Sequence, residues 1–327
     1  MICAWENDPA TFLEQAKLGD SLGYAIIGVS DSIFRDTYVS LALLARHTER
    51  ARIGPMVTNP VTRHPSVTAN AISAVNDLSG GRAVLGIGTG DSAVRSLQVG
   101  PATVDRLEQS VTAIRALTLG QEAPFDGAIL QHRWATRGVP VYVTAEGPRT
   151  LRMAGRAADG VVMHTAAQPD IVAESIAAVH EGAREAGRDP ADVDVWVFIK
   201  LGIADTREEA VDGIKMSLAA SVNHSFRHTL AGKHVPDELV PAIRELMVRY
   251  QTQAHVKADG ANHSLTDELG LTDYLANRFG VVGTPEQCVA RIRALGGVGV
   301  DGVIFGVFGR DPLGLIRRFG EEILPLI

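Results

Sequence analysis

Short apolar runs bounded by glycine or proline alternate along this chain with longer stretches in which apolar residues return every three or four positions. Phe12, Leu13, Ala16, Leu18 and Leu22 stand among Glu14, Gln15, Lys17 and Asp20, which predicts a helix over residues 9–22 ending near Gly23. Tyr24–Val29 reads as a strand, 37–50 as a helix carrying Leu41, Leu43, Leu44 and Ala45, and Arg52–Thr58 as the next strand. A helix over 65–78 leads to Ala83–Ile87, a short apolar run beside glycines, as expected of a strand buried on both faces of a parallel sheet.

The same rhythm predicts a helix near 104–118, strand Val139–Thr144, helix Pro148–Ala157, strand Gly160–His164, helix 170–186 and the long strand Val193–Ile203. The chain ends with a helix near 285–295, strand Gly302–Val307 and a helix over 312–324. Strand, helix and strand in succession imply parallel pairing through right-handed crossovers. The expected fold class is therefore α/β, a (β/α)8 TIM barrel spanning 1–327 as one domain, with an open doubly wound sheet as the alternative. Residues 206–280 show no strand pattern but helical patterns around 207–231 and 236–254, which predicts a helical insertion or lid near the C-terminal mouth.

Composition narrows the field of functions. The 327 residues are 46% hydrophobic and 21% charged, values of a globular protein with a sizeable core. Lys+Arg number 31 against 38 Asp+Glu, a net charge of -7 without any dense basic cluster, so neither nucleic acid nor a membrane surface is an expected partner. Cys3 and Cys288 form neither a disulfide framework nor a zinc spacing, which suits a reducing cytoplasm. No signal peptide is expected from the first residues, and no apolar run is long enough to span a bilayer.

Chemistry concentrates where predicted strands end. Gly88-Thr89-Gly90-Asp91 follows Ala83–Ile87 and offers backbone N–H groups, a hydroxyl and a carboxylate suited to proton transfer. The same four residues also read as a tight strand-to-helix turn with Asp91 as N-cap. Ala145-Glu146-Gly147-Pro148-Arg149-Thr150 carries a strand into a helix whose first turn suits a phosphate, with Arg149 and the Thr150 hydroxyl as further donors. Asp31 occupies another strand-end position, where capping a turn is the plainer role. Arg63-His64-Pro65 reads chiefly as a structural link into a helix. The segment 206–280 holds His224, His228, His234, His255 and His263; no metal site is expected of them, and His255 or His263 is a secondary candidate for facing a ligand.

Four motifs in order carry a family likeness: Gly81 through Asp91, Val57-Thr58-Asn59-Pro60 with Arg63-His64-Pro65, Ala145-Glu146-Gly147-Pro148 through Ala158-Asp159-Gly160, and Val282-Gly283-Thr284-Pro285. Together they resemble the luciferase-like flavin-dependent oxidoreductases, nearest to the deazaflavin-dependent methylenetetrahydromethanopterin reductase branch. The resemblance implies a barrel, usually homodimeric, that binds coenzyme F420 (a deazaflavin) or, as the alternative, FMN. It implies a non-proline cis peptide at Met56-Val57 in a bulge that, with Thr58, supports the flavin ring. It also implies that Gly88, Thr89, Gly90 and the turn Ala145, Glu146, Gly147, Arg149 and Thr150 hold the cofactor.

By the same resemblance the protein transfers a hydride between F420 and a small organic substrate, with Asp91 at the position of a catalytic Glu in the sugar-phosphate dehydrogenase branch. Many relatives carry Asp-His where this chain has Asp31-Ser32, so Asp91, Asp31 or His255 is the expected proton-transfer group. Two other functions fit the family: an FMN-dependent monooxygenase supplied by a partner reductase, and a flavin-binding barrel without catalysis.

Overall fold

The computed structural model describes residues 2–4, 8–31, 35–227, 229–251, 262–307 and 311–327. The fold is α/β. Its strands are β1 (Ile2–Ala4), β2 (Ile26–Val29), β3 (Arg52–Pro55), β4 (Leu85–Ile87), the hairpin β5 (Ala123–Phe125) and β6 (Ala128–Leu130), β7 (Val141–Ala145), β8 (Gly160–Met163), β9 (Asp194–Ile203), β10 (Gly280–Gly283) and β11 (Gly302–Gly306). Two compact units divide the chain: Met1–Met163 with Ser175–Trp196, and His164–Glu174 with Val197–Ile327.

In the first unit β1 pairs with β2, β2 with β3, β4 with β7 and β7 with β8, every pair parallel. Parallel bridges Ile53↔Ala83 and Thr58↔Ile87 join the β3 segment to the β4 segment. Sequential neighbours in sequence are thus neighbours in space, the strand order of a β/α barrel. Ile26, Ile27, Ile53, Leu85, Ile87, Val141, Val143 and Val161 are fully buried, each worth about 1.5–3 kcal/mol relative to exposure.

The intervening helices start where capping chemistry says they should. Asp36 accepts from the N–H groups of Tyr38 and Val39 and opens Thr37–His47; His64 caps Pro65–Leu78 with Pro65 at its first position. At the opposite ends of the strands, Asp20 is nearly buried and accepts from the N–H groups of Glu49, Arg50 and Ala51 at 2.7–3.0 Å. Arg82 donates to the carbonyls of Ala45, Thr48 and Ala51, closing the same turn.

The second unit contains the parallel pair β9–β10, in the register Gly280↔Lys200 to Gly283↔Ile203. The segment expected to be helical without strands up to residue 280 therefore ends one residue sooner, since β10 begins at Gly280. Its helices are Arg207–Asp212, Lys215–Phe226, Val240–Arg249, Leu265–Glu268 and Thr272–Phe279. Gly213 at the end of the first of these splits the predicted 207–231 stretch. Leu218, Val222, Phe226, Ile243, Leu246, Leu271, Leu275 and Phe279 pack into a core of their own. Among the described residues no helix is long and apolar enough to cross a membrane.

Candidate functional site

Four strand ends meet in the first unit. The Met56-Val57 peptide is cis, as the family resemblance implied. Thr58, fully buried, then rejoins the sheet: its N–H donates to the Gly86 carbonyl at 3.0 Å and its own carbonyl accepts from the Gly88 N–H at 2.9 Å. Its hydroxyl donates to Asp31 at 2.6 Å. Glycine at 86 and 88 follows from this closeness. A Cβ at Gly86 would lie 2.6 Å from the Pro55 carbonyl oxygen, and one at Gly88 would lie 2.4 Å from Thr144 Oγ1.

Asp31 sits at the centre of a charged network. Its side chain is only 8% exposed and receives Arg63 Nε at 3.1 Å as well as the Thr58 hydroxyl. Arg63 also reaches Asp36 at 2.8 Å and lies over the Tyr38 ring, 4.9 Å from its centroid. Burial, with the Asp31 charge beside it, pushes the Tyr38 phenol well above its ordinary range. Burial works against the Asp36 carboxylate, but Arg63 and the N–H groups of Val39 and Tyr38 hold its pKa below the ordinary value. Arg63 was legible only as a structural link; the structure makes it the partner of the candidate acid. His64 keeps its linking role, its Nδ1 accepting from the Ser66 N–H at 3.2 Å and its ring edge-on to Phe125.

The loop Gly88–Asp91 leaves β4 with Gly90 at φ 102°, a backbone form that favours glycine. The Thr89 carbonyl accepts from the Ala102 N–H at 2.8 Å, and the Thr89 side chain is half-buried. Asp91 precedes the short helix Ser92–Ser96 but makes no side-chain cap; it pairs with Arg95 at 2.7 Å and stays about a third exposed. Asp91 thus occupies the N-cap position that the turn reading gave it, its carbonyl accepting from the Arg95 N–H at 2.9 Å, while its carboxylate pairs with the Arg95 side chain.

After β7, Gly147 is the N-cap of Pro148–Ala157 and brings no side-chain acceptor to the first N–H groups of that helix. A Cβ at Gly147 would meet nothing within 4 Å. Ala145 is buried, Glu146 and Thr150 are half-buried, and Arg149 is 78% exposed with Asp105 at 3.9 Å. Thr144, a residue the sequence did not single out, turns its hydroxyl toward the Ile87 carbonyl at 3.5 Å and against Gly88. His255 and Ser32 lie outside the described residues.

The second unit holds an aromatic and cationic group. The His164 ring is 4.8 Å from Phe198 and 4.6 Å from His224, and Lys200 Nζ stands 4.8 Å over the Phe198 ring. Burial pulls the Lys200 ammonium down to about 8. A lysine inside the apolar run Val195–Ile203 was the signal available in the sequence. Cys288 is buried, which pushes its thiol up to about 12 and makes it a packing residue.

The sequence matches the profile of the luciferase-like monooxygenase family over residues 3–302. It is 31% identical over 326 residues to the 5,10-methylenetetrahydromethanopterin reductase of Methanolobus tindarius, covering 94% of each chain. The enzyme of the same description from Archaeoglobus fulgidus is 32% identical, over 94% of this chain and 93% of the relative. In structure the chain is similar to the coenzyme F420 dependent tetrahydromethanopterin reductase of Methanopyrus kandleri, with a TM-score of 0.78, 25% identity and coverage of 99% and 97%. With parallel strands in barrel order, the expected glycine loops and a profile match that spans most of its length, the chain belongs to the luciferase-like monooxygenase family.

Proposed function

We propose that the protein is an oxidoreductase that moves a hydride between coenzyme F420 and a small organic substrate. The observation that carries this reading is the convergence of Asp31, Thr58, Gly88 and Thr144 at neighbouring C-terminal strand ends, in a chain whose relatives are named as F420-dependent enzymes. The residues fit such a group: Gly147 leaves open space at an uncapped helix start, where N–H donors and the Thr150 hydroxyl suit a phosphate. Met56, Val57 and Thr58 would lie along the ring, with Gly88, Thr89, Gly90, Ala145, Glu146 and Arg149 around the remainder of the cofactor. F420 would carry the hydride, taking it up in its oxidised form and giving it up in its reduced form.

This chain's own residues then orient and protonate. Asp91, about a third exposed, exchanges protons with water and substrate; Arg95 holds its carboxylate in place. Asp31, fixed by Thr58 and Arg63, orders the β2 and β3 ends, and is the second candidate acid beside His255. A fluorescence titration with F420, run against an absorbance titration with FMN, tests the assignment. Binding of FMN alone, with oxygen-dependent turnover in the presence of a flavin reductase, would favour the monooxygenase reading that the family name itself supports.

The exposed apolar residues Val39, Leu43 and Val67, on the neighbouring helices Thr37–His47 and Pro65–Leu78, support a homodimer formed through that face. Light scattering on Val39→Asp and Val67→Asp variants tests it, the expected result being monomers. The composition supports a cytoplasmic location.

A further inference from the structure

In the first unit, Val143 and Ala145 are buried, whereas Thr144 between them is half-buried. Side chains alternate across a strand, so Thr144 lies on the face of β7 opposite to both neighbours. The register Gly86↔Tyr142 and Ile87↔Val143, carried one residue on, brings Gly88 beside Thr144 on that face. A Cβ on Gly88 would lie 2.4 Å from Thr144 Oγ1 and 3.6 Å from Val57 Cγ2. A Cβ on Gly86 would meet Met56 Sδ at 2.7 Å and Val57 Cγ1 at 3.0 Å. The side chains of Met56 and Val57 thus cover the two glycines from one side, and the Thr144 hydroxyl covers Gly88 from the other. Met56, Gly86 and Gly88 are buried; Val57 and Thr144 are the half-buried members of the group.

Among these side chains the Thr144 hydroxyl is the one that can donate a hydrogen bond. Its acceptor is the Ile87 carbonyl at 3.5 Å, against about 2.7–2.8 Å for a well-made bond between two oxygens. Packing against Gly88 would be served as well by valine, which has the same shape and no polar atom to desolvate. A hydroxyl so weakly held inside the protein, on a half-buried side chain, is suited to a donor that a ligand completes. We propose that the Thr144 hydroxyl donates a hydrogen bond to the ring of the bound deazaflavin, at a carbonyl oxygen or a ring nitrogen, and so orients the ring beside Val57. The proposal rests on the hydride-transfer reading above. Val57 offers the ring apolar contact, which is non-directional; a hydrogen bond from Thr144 sets where along that surface the ring rests, and hydride transfer is sensitive to such placement.

The test uses the full-length protein with F420 as the probe. Fluorescence titrations and the absorption spectrum of the bound form are recorded for wild type, Thr144→Val and Thr144→Ser, beside a thermal melt of each. Thr144→Val is expected to bind F420 about fivefold more weakly, the worth of one neutral hydrogen bond, and to return the absorption of the bound ring toward that of free F420. Thr144→Ser keeps the donor and restores both. The melting temperature of Thr144→Val should stay near that of wild type, because the bond it loses within the protein is the long one to Ile87. A Thr144→Val variant with wild-type affinity and spectrum, or a Thr144→Ser variant that behaves as Thr144→Val does, overturns the proposal while F420 binding by wild type leaves the proposed function standing. A wild-type protein that binds no F420 sinks the proposed function and this inference with it.

Discussion

Thr58 donates its hydroxyl to Asp31 across 2.6 Å, tying the carboxylate that follows β2 to the residue that follows β3. Thr58→Val keeps the shape and removes the donor. Asp31 retains Arg63, so the stability cost should be about 1 kcal/mol. If Asp31 must be held in one orientation for turnover, kcat falls about tenfold while F420 affinity holds, and Thr58→Ser restores it. Steady-state kinetics beside a thermal melt read both effects. Equal kcat in wild type and Thr58→Val would remove Asp31 from the working site.

Gly88 and Gly147 make opposite predictions. A methyl at 88 meets Thr144 Oγ1 at 2.4 Å, so Gly88→Ala must displace a short side chain between packed strands and should cost about 1–3 kcal/mol. A methyl at 147 meets nothing within 4 Å, and Gly147→Ala should leave the melting temperature close to that of wild type. If a cofactor phosphate rests on that helix start, Gly147→Ala weakens F420 binding by about tenfold, because the added methyl occupies the approach. A fluorescence titration of this variant with unchanged affinity would move the phosphate elsewhere.

Asp91→Asn separates chemistry from stability. The Asp91–Arg95 pair is one helical turn apart and largely exposed, so its loss should change stability by about 0.5 kcal/mol or less. A kcat loss of about a hundredfold in this variant therefore reports proton transfer, within the usual range for a general acid or base. Unchanged turnover across the pH range would eliminate Asp91 and leave Asp31 and His255 as the acids to test.

The alternation of apolar runs and helical periods made the parallel core legible, because strands buried on both faces cannot hide their composition. Strand ends were less so: the predicted strand Arg52–Thr58 stops at Pro55, since the backbone leaves the regular ladder at Met56 and returns only through Thr58. β1, β10 and the β5–β6 hairpin escaped notice; the hairpin is partly exposed and so lacks the continuous apolar run of the buried strands. At the site, glycines and strand-end carboxylates were visible in order of sequence. Arg63 and Thr144 were not, because their importance lies in neighbours from distant segments: Asp31 for Arg63, Gly88 for Thr144.

Asp20 offers a stability test away from the site. Burial alone would raise its pKa, but the N–H groups of Ala51, Glu49 and Arg50, with the Arg50 charge, hold it below the ordinary carboxylate value. A lowered folded pKa means that the stabilisation is fully present above about pH 4, the unfolded value, and is lost as pH falls through the folded one. Asp20→Asn turns an amide toward N–H donors that an uncharged group cannot satisfy together, which should cost about 2–3 kcal/mol at neutral pH. Urea unfolding of wild type and Asp20→Asn from neutral to acidic pH should show the gap between them closing below about pH 4, as wild type takes up the proton the variant never needs. A gap of constant size down to the acid limit would mean that Asp20 acts through packing and not through its charge.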